Sequence, residues 1–306
     1  MMDIAVLRAT FGERLQENVS LASYTSARIG GPADALITVK SADELAEAVA
    51  RLWEMDAPYV ILGGGSNVLV SDRGVRGVTV LNRAKDVRFE YGDQPKVWAE
   101  AGAGFSSLAN RAAEEGLSGL EWAATVPGTV GGAVYGNAGA FGGDMAGSLI
   151  HAELLTENGR ERWPVEKMEY GYRTSALKRS TLKFVILTAE LRLSHSTKEA
   201  VRFKIGEFVS KRKSTQPPGA SMGSMFKNPT GDHAGRLIEA AGLKGTRIGN
   251  AEISALHGNF FINHGDTKAS DIRKLIELAQ KAVAEKFGVM LELEIEMIGE
   301  WEASGT

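Results

Sequence analysis

Two glycine-rich segments constrain most strongly what this chain can fold into and bind. They are LGGGSNVLVSDRG at residues 62–74 and AATVPGTVGGAVYGNAGAFGGDM at residues 123–145. Glycine supplies 36 of the 306 residues, yet 43% of the chain is hydrophobic and glycine follows no three-residue period. That composition excludes disordered and collagen-like chains. The excess therefore indicates local backbone demands, because glycine adopts positive φ and lets a ligand approach bare amides.

The two segments predict a binding site for a diphosphate. Successive exposed amides form a concave site that binds anions, so two such loops can hold both phosphates of a dinucleotide without cationic side chains. The alternative is that both are only tight turns, but two dense clusters at 63–65 and 128–147 favour the diphosphate. The first segment leads into a strand, so the helix N-terminus that Rossmann folds use is not expected. GAGFSS at 102–107 is a weak dinucleotide fingerprint, since Ser107 replaces its third glycine.

Hydrophobic periodicity predicts a chain of class α+β, without a regular strand–helix–strand alternation. Helices are expected after a capping box at Ser41 and around residues 108–113, 201–212, 237–241 and 272–283. Strands are expected at residues 35–39, 59–62, 68–70, 77–81, 85–90, 96–101, 149–156, 160–163, 184–193 and 291–297. The pattern changes near residue 195, which predicts an N-terminal segment 1–26, a first domain 27–194 and a second domain 195–306.

Composition disfavours several kinds of chemistry and location. The absence of cysteine excludes disulfides, thiolate metal sites and a cysteine nucleophile. The five histidines form no i, i+4 pair, so no metal site is expected. A net charge of −3 argues against nucleic acid as the main partner, and the basic run 211–213 is interpreted as a solvated helix end. We find no signal peptide and no membrane span, and we therefore expect a cytoplasmic protein.

The order of the motifs resembles that of the UDP-N-acetylenolpyruvoylglucosamine reductase family, flavoenzymes of bacterial peptidoglycan synthesis. The resemblance runs nearly end to end and is closest to the shorter, second subtype. Besides LGGGSNVLVSDRG, the motifs are YTSARIGGPAD (24–34), GLEWAATVPGTVGGAVYGNAGAFGGDM (119–145), GYRTSALK (171–178), GSMFKNP (223–229), AGRLIEAAGLKG (234–245) and LELEIEMIG (291–299).

The resemblance implies an FAD-binding domain of the p-cresol methylhydroxylase and vanillyl-alcohol oxidase type, followed by a smaller α+β substrate domain. It places the flavin on the two glycine-rich segments. The cofactor-binding residues that it implies are Gly63, Gly64, Gly65, Ser66, Asn67, Thr125, Pro127, Gly128, Gly131, Gly132, Ala133 and Asn137. Many relatives in the wider superfamily attach FAD covalently through histidine, but no histidine precedes His151 in this chain. We therefore expect non-covalent FAD.

The resemblance also implies the reaction and its residues. NADPH reduces FAD, the flavin delivers hydride to C3 of an enolpyruvyl ether, and a proton goes to C2. By resemblance Ser224 donates that proton, Arg173 holds the substrate carboxylate, and Glu294 is the catalytic glutamate. Lys227 and Asn228, which follow the serine closely, are expected to face the substrate.

Residue patterns alone leave simpler alternatives open. Ser224 can be a turn or capping serine, and Arg173 can belong to an exposed ion pair. Glu292, Glu294 and Glu296 can form a solvated strand face, and the spacing from Gly299 selects Glu294 with Glu292 as the alternative.

Three functions remain to be distinguished: the reductase, a different flavin oxidoreductase of the same superfamily such as a sugar or alcohol oxidase, and a catalytically silent nucleotide-sugar binder. The expected partners of the reductase are UDP-N-acetylglucosamine enolpyruvate and NADPH. We expect no nucleic acid, no membrane and no obligate protein partner.

Overall fold

The computed structural model describes residues 4–301. Its helices are α1 (Ile4–Phe11), α2 (Ala42–Glu54), α3 (Phe105–Glu114), α4 (Val130–Gly136), α5 (Met145–Ser148), α6 (Ala176–Arg179), α7 (Lys198–Thr215), α8 (Ala234–Ala240) and α9 (Ala269–Phe287). Its strands are β1 (Leu15–Ser20), β2 (Pro32–Val39), β3 (Tyr59–Leu62), β4 (Val68–Val70), β5 (Val75–Asn82), β6 (Val87–Glu90), β7 (Lys96–Glu100), β8 (Leu117–Ser118), β9 (Gly139–Ala140), β10 (Gly143–Asp144), β11 (Leu149–Thr156), β12 (Gly159–Pro164), β13 (Phe184–Arg192), β14 (Ser194–His195), β15 (Arg247–Ile248), β16 (Ala251–Ile253), β17 (Phe261–Asn263) and β18 (Glu296–Ile298).

The first sheet has four strands in the order β1-β2-β5-β3. β1 runs antiparallel to β2, whereas β2 and β3 both run parallel to β5. Helix α2 packs on this sheet and begins as predicted, since Ser41 Oγ accepts a hydrogen bond from the amide of Glu44 at 3.1 Å. The predicted N-terminal segment belongs to the same unit, because Leu7 and Phe11 of α1 are buried in its core.

The second sheet has five antiparallel strands in the order β12-β11-β13-β7-β6. The hairpin between β11 and β12 turns at Gly159 with φ +99°, as the Asn158-Gly159 pair predicts. Val185 and Leu187 of β13 lie in the core of the first sheet, so the two sheets pack together. Helices α3 and α4 cover the second sheet and share its core.

The C-terminal part forms a separate core around α8, α9 and a three-stranded sheet of β15, β16 and β17. Ala27, Ile29 and Leu69 from the first half of the chain are buried in it. The chain then returns to the first half, because β18 pairs in parallel with β4, with Glu296 opposite Val68. β4 directly follows the first glycine cluster, so the end of the chain lies beside that cluster.

Two expectations need correction or refinement. The strand predicted over 291–297 is confirmed only at its end, because residues 291–295 make an isolated bridge from Leu293 to Phe226 and no regular ladder. Helix α7, which the boundary at 195 assigns to the second domain, buries Val201 and Ile205 in the core of the second sheet. We therefore propose to place the domain boundary after α7. Within residues 4–301, no helix is both long and apolar enough to cross a membrane.

Candidate active site

The two glycine clusters lie against each other. A side chain added at Gly63 would place its Cβ 2.5 Å from Thr129 Oγ1, and one at Gly64 would reach 2.9 Å from Gly128 Cα. At Gly64 two backbones touch, so glycine is required there, whereas at Gly63 a larger residue would clash with the side chain of Thr129. The sequence predicted bare backbone for a ligand, and the structure adds this second reason for the same residues.

Six amides on these adjoining loops lack a backbone partner. Within residues 4–301, the N–H groups of Gly64, Gly65, Ser66, Asn67, Gly128 and Thr129 donate to no backbone carbonyl. Consecutive free amides are the feature that binds phosphate oxygens in loops of this kind. The two loops therefore fit the diphosphate of a dinucleotide cofactor.

Two arginines that the sequence analysis missed support the loops from behind. Arg83 Nη1 donates to the carbonyl of Gly63 at 2.8 Å. Arg212 Nη1 donates to Thr125, to its carbonyl and to its Oγ1, the latter at 3.2 Å. Burial lowers the pKa of Arg212, so the interpretation of residues 211–213 as a solvated helix end is wrong for Arg212. Arg83 and Arg212 thus bring positive charge to the two glycine-rich loops that fit the diphosphate.

Other residues expected at the cofactor use their polar groups within the protein. The amide of Gly131 donates to Ala101 at 2.8 Å, and the amide of Gly132 donates to Thr129 Oγ1 at 3.5 Å. Ala133 is buried inside α4. Asn137 has φ +47° at the end of α4, where its Nδ2 donates to the carbonyl of Gly171 and its Oδ1 accepts from the amide of Ala146. These residues shape the loops, and their contact with a flavin stays a prediction, as it does for Pro127.

Arg173 stands on a tight turn between Gly171 and Thr174, whose amides and carbonyls bond to each other. It has φ +55°, a left-handed conformation that is unfavourable for a side-chain residue and is held here by the surrounding bonds. Asn137 ties down one side of the turn, and Ser175 ties down the other through its Oγ bond to the carbonyl of Tyr135. Arg173 Nε donates to Oε1 of Glu294 at 2.7 Å.

The three alternating glutamates of the C-terminal segment are all ion-paired, two to cations of the 171–178 motif and one to the lysine that follows the serine segment. The pairs are Glu292 with Lys227 at 3.2 Å, Glu294 with Arg173 at 2.7 Å and Glu296 with Lys178 at 2.6 Å. Their side chains differ in exposure, at 75% for Glu292, 15% for Glu294 and 41% for Glu296. A common solvated face is therefore wrong, and geometry supports Glu294 over Glu292.

The electrostatic surroundings of Glu294 differ from those of an ordinary glutamate. Burial raises the pKa of its carboxyl, while Arg173, Lys178 and Lys227 act to lower it. The balance leaves a carboxyl that binds a proton more readily than an exposed glutamate does. A buried acid beside an arginine is the kind of pair that active sites use.

The serine segment is fixed next to Glu294 by backbone and amide bonds. The carbonyl of Met225 accepts the amide of Glu294 at 2.9 Å. Asn259 is almost fully buried, and its side chain bonds both the amide and the carbonyl of Phe226, at 2.9 Å and 2.8 Å. No motif or spacing in the sequence indicated Asn259, since its role depends on a segment 33 residues away.

Ser224 opens onto a pocket of about 270 Å³. Asn228, His233, Arg236, His257 and Asn259 are among its lining residues. Ser224 Oγ makes no hydrogen bond to another group within residues 4–301, so this hydroxyl is available to a ligand. Burial lowers the pKa of His257, which favours its neutral form.

Asn228 and Lys227 connect the serine segment to its surroundings. Asn228 Oδ1 accepts the amide of Ala234 at the start of α8 at 3.1 Å, and its own amide donates to the hydroxyl of Tyr172 at 3.3 Å. The Tyr172 ring lies 5.5 Å from the guanidinium carbon of Arg173. The structure therefore brings together the segments that carry Arg173, Ser224 and Glu294, and their catalytic roles stay predictions. Within the described part of the chain, no group of three histidine, aspartate or glutamate side chains could hold a metal ion.

Comparison with known proteins decides the family. Residues 33–163 match the family profile described as FAD binding domain, and residues 214–298 match the one described as UDP-N-acetylenolpyruvoylglucosamine reductase, C-terminal domain. A UDP-N-acetylenolpyruvoylglucosamine reductase from Chloroflexus aggregans is 46% identical over 290 residues, which cover 93% of this chain and 97% of the relative. This chain belongs to the UDP-N-acetylenolpyruvoylglucosamine reductase family.

Further members of the reductase family agree. The reductase from Bacillus subtilis is 42% identical over 287 residues, 92% of this chain and 93% of the relative. The crystal structure of the reductase from Thermus caldophilus matches with a TM-score of 0.79 at 37% identity, covering 93% of this chain and 99% of that one. These matches confirm the resemblance, the class of FAD-dependent oxidoreductase, and an α+β fold with an FAD-binding domain.

Proposed function

We propose that this chain reduces UDP-N-acetylglucosamine enolpyruvate to UDP-N-acetylmuramate, with NADPH as reductant, in the cytoplasmic stage of peptidoglycan synthesis. The proposal depends chiefly on the convergence of Arg173, Glu294 and the segment that bears Ser224. FAD, when bound, supplies hydride transfer from NADPH to C3 of the enolpyruvyl group. The free amides of the two glycine loops, with Arg83 and Arg212 behind them, hold its diphosphate without a covalent bond.

Ser224 donates the proton to C2 of the substrate. Its hydroxyl has no hydrogen-bond partner among residues 4–301, and Ser224 lines the pocket beside α8. A serine hydroxyl is a weak acid, but its target here is a strongly basic enolic carbon. Asn259 and the amide of Glu294 fix the backbone of Met225 and Phe226, which directly follow Ser224, so the hydroxyl is held in place for the substrate.

Arg173 holds the substrate carboxylate and the negative charge that develops on it. Glu294 occupies Nε, and no group among residues 4–301 accepts a hydrogen bond from either Nη atom of Arg173. Two parallel N–H groups match the two oxygens of a carboxylate. Charge that appears on those oxygens during the reaction is then stabilised by groups already in position.

Glu294 and Lys227 complete the proposed group of catalytic and substrate-binding residues. Glu294 orients the guanidinium plane through the 2.7 Å bond, and burial raises the pKa of Glu294, so this carboxyl can exchange a proton closer to neutral pH. Among residues 4–301, Lys227 forms an ion pair only with the exposed Glu292, and such pairs are weak, so its ammonium group can turn to the diphosphate or carboxylate of the substrate. Asn228 presents the start of α8 beside the same pocket.

One experiment tests the proposed reaction. Purified holoprotein is mixed with NADPH and UDP-N-acetylglucosamine enolpyruvate, and NADPH absorbance is followed with and without each component. Loss of NADPH that depends on the enolpyruvyl substrate is expected. Turnover of an alcohol with oxygen instead would identify an oxidase, and purified protein that binds no flavin would contradict both enzymes and favour a silent nucleotide-sugar binder. Ser224→Ala should retain flavin reduction by NADPH and lose product formation.

A further inference from the structure

We propose that the side chain of Asn67 positions Glu294 and is not primarily a contact to the cofactor, whatever its backbone amide binds. The proposal rests on the proposed function, because it assigns a part in that reaction to a residue of the first glycine loop. Asn67 ends this loop and directly precedes β4. Its side chain is the only polar side chain of the first loop that the structure directs onto the segment carrying Glu294.

Asn67 makes two hydrogen bonds to the backbone at and after Glu294. Its Nδ2 donates to the carbonyl of Glu294 at 3.1 Å, and its backbone carbonyl accepts the amide of Glu296 at 2.9 Å. Asn67 and Glu294 are 227 positions apart in the chain. β18 then continues the pairing in register with β4.

The amide side of Glu294 is held by a different segment. Its N–H donates to the carbonyl of Met225, which follows Ser224 directly. Glu294 is therefore held between the first glycine loop on its carbonyl side and the serine segment on its amide side. Its carboxylate meets Arg173 from a third segment. Because Glu294 lies outside any regular strand, these bonds, and not a ladder, fix its position.

A consequence follows for the cofactor loop. The free amides of the first loop that fit a diphosphate belong to residues 64–67. Asn67, the last of them, also donates a side-chain hydrogen bond to the Glu294 carbonyl. A shift of the loop is thus passed to Glu294 and to its bond with Arg173. Loss of the Asn67 amide should impair the step that uses Arg173 and Glu294, and should leave reduction of the flavin by NADPH intact.

The test compares Asn67→Leu, which keeps the size and removes the donor without adding a charge beside the diphosphate loop, with Asn67→Ser, whose hydroxyl can still donate. Removal of one hydrogen bond should slow reoxidation of the reduced enzyme by the enolpyruvyl substrate about 5–10-fold in Asn67→Leu, with partial recovery in Asn67→Ser. The rate of flavin reduction by NADPH, and the Kd of the apoprotein for FAD, should stay within about twofold of the wild type. Asn110→Ala is the matched control, because it removes a similar bond from an asparagine amide to a carbonyl on the exposed side of α3.

A pH profile separates positioning from a general structural defect. Burial raises the pKa of Glu294, so a loosened segment that admits water should move the acidic limb of the reoxidation rate to lower pH. Unchanged reoxidation in both variants would overturn the proposal. So would a Kd for FAD that weakens by more than the reoxidation rate falls, since Asn67 would then be a cofactor contact. If the wild-type enzyme itself shows no reoxidation by the enolpyruvyl substrate, the proposed function fails first.

Discussion

Arg173 and Glu294 are 121 positions apart in the chain, and their side chains meet through a 2.7 Å hydrogen bond from Nε to Oε1. Arg173 comes from a turn beside the second sheet, and Glu294 comes from the segment that returns to the first half of the chain. The pair therefore exists only when the C-terminal part is docked on the FAD-binding part. The other two nitrogens of the guanidinium group donate to no group among residues 4–301, and we propose that they bind the substrate carboxylate.

Arg173→Lys should impair substrate binding and turnover although it keeps the positive charge. A lysine has its three donors on one atom and no planar fork, so it cannot bond Glu294 through one nitrogen and present two parallel N–H groups to a carboxylate. Hydrogen bonds to charged groups contribute about 1.5–3 kcal/mol, so kcat/KM for the enolpyruvyl substrate should fall about 10–100-fold. Steady-state kinetics measure the change, and Arg179→Lys is the control because that arginine pairs with Glu169 on the exposed surface. A variant with unchanged kcat/KM would remove Arg173 from the site.

Glu292 and Glu294 can be separated by their glutamine variants. Glu294 is buried against Arg173, whereas Glu292 is 75% exposed and pairs with Lys227. Exposed pairs contribute little, so turnover by Glu292→Gln should stay within about threefold of the wild type. Turnover by Glu294→Gln should fall about 100-fold or more, as expected when a buried acid beside the reacting groups is neutralised. An inactive Glu292→Gln beside an active Glu294→Gln would overturn the assignment.

The stability of Glu294→Gln should depend on pH in a defined direction. Burial raises the pKa of Glu294 above its unfolded value near 4.5. Such a group stabilises the fold below its unfolded pKa, and this stabilisation is lost as pH rises through the folded pKa. The wild type should therefore lose stability relative to Glu294→Gln as pH rises from about 4 to 7. Urea unfolding at several pH values measures the difference, with Glu292→Gln as the control, and a difference that runs the opposite way contradicts the prediction.

Arg83 and Arg212 should contribute to cofactor affinity although neither was predicted from the sequence. Both donate to loop atoms, Arg83 to Gly63 and Arg212 to Thr125. Arg83→Ala and Arg212→Ala should each raise the Kd of the apoprotein for FAD about tenfold, because one charged hydrogen bond is lost. The effect should shrink at high salt, where charge is screened. Arg202 lies on the same helix as Arg212 but forms an exposed ion pair with Glu114, so Arg202→Ala should leave the Kd for FAD unchanged.

Local chemistry made much of this fold predictable, and distant contacts made the rest unpredictable. Ser41, the Asn158-Gly159 turn and the glycines that end helices act through neighbours within a few positions, so their elements are predictable from the sequence. The strand expected at 291–297 is observed only from Glu296, because the partner of Leu293 is Phe226, which the local alternation of apolar and acidic residues does not reveal. Asn259 was missed for the same reason. It acts on Phe226 through both atoms of its amide, and nothing in its own neighbourhood indicates this.

Asp72 should contribute to stability by capping a helix from the other half of the chain. Its two carboxylate oxygens accept the amides of Ala269 and Ser270 at 2.7 Å and 2.9 Å, while Lys268 at the N-cap of α9 provides no side-chain bond. Loss of an N-terminal cap destabilises a protein by about 1 kcal/mol, so Asp72→Ala should lower the free energy of urea unfolding by about 1–2 kcal/mol. Asp93→Ala, at an exposed loop residue, is the control. Equal stability of the two variants would show that the bonds from Asp72 to α9 do not hold the halves together.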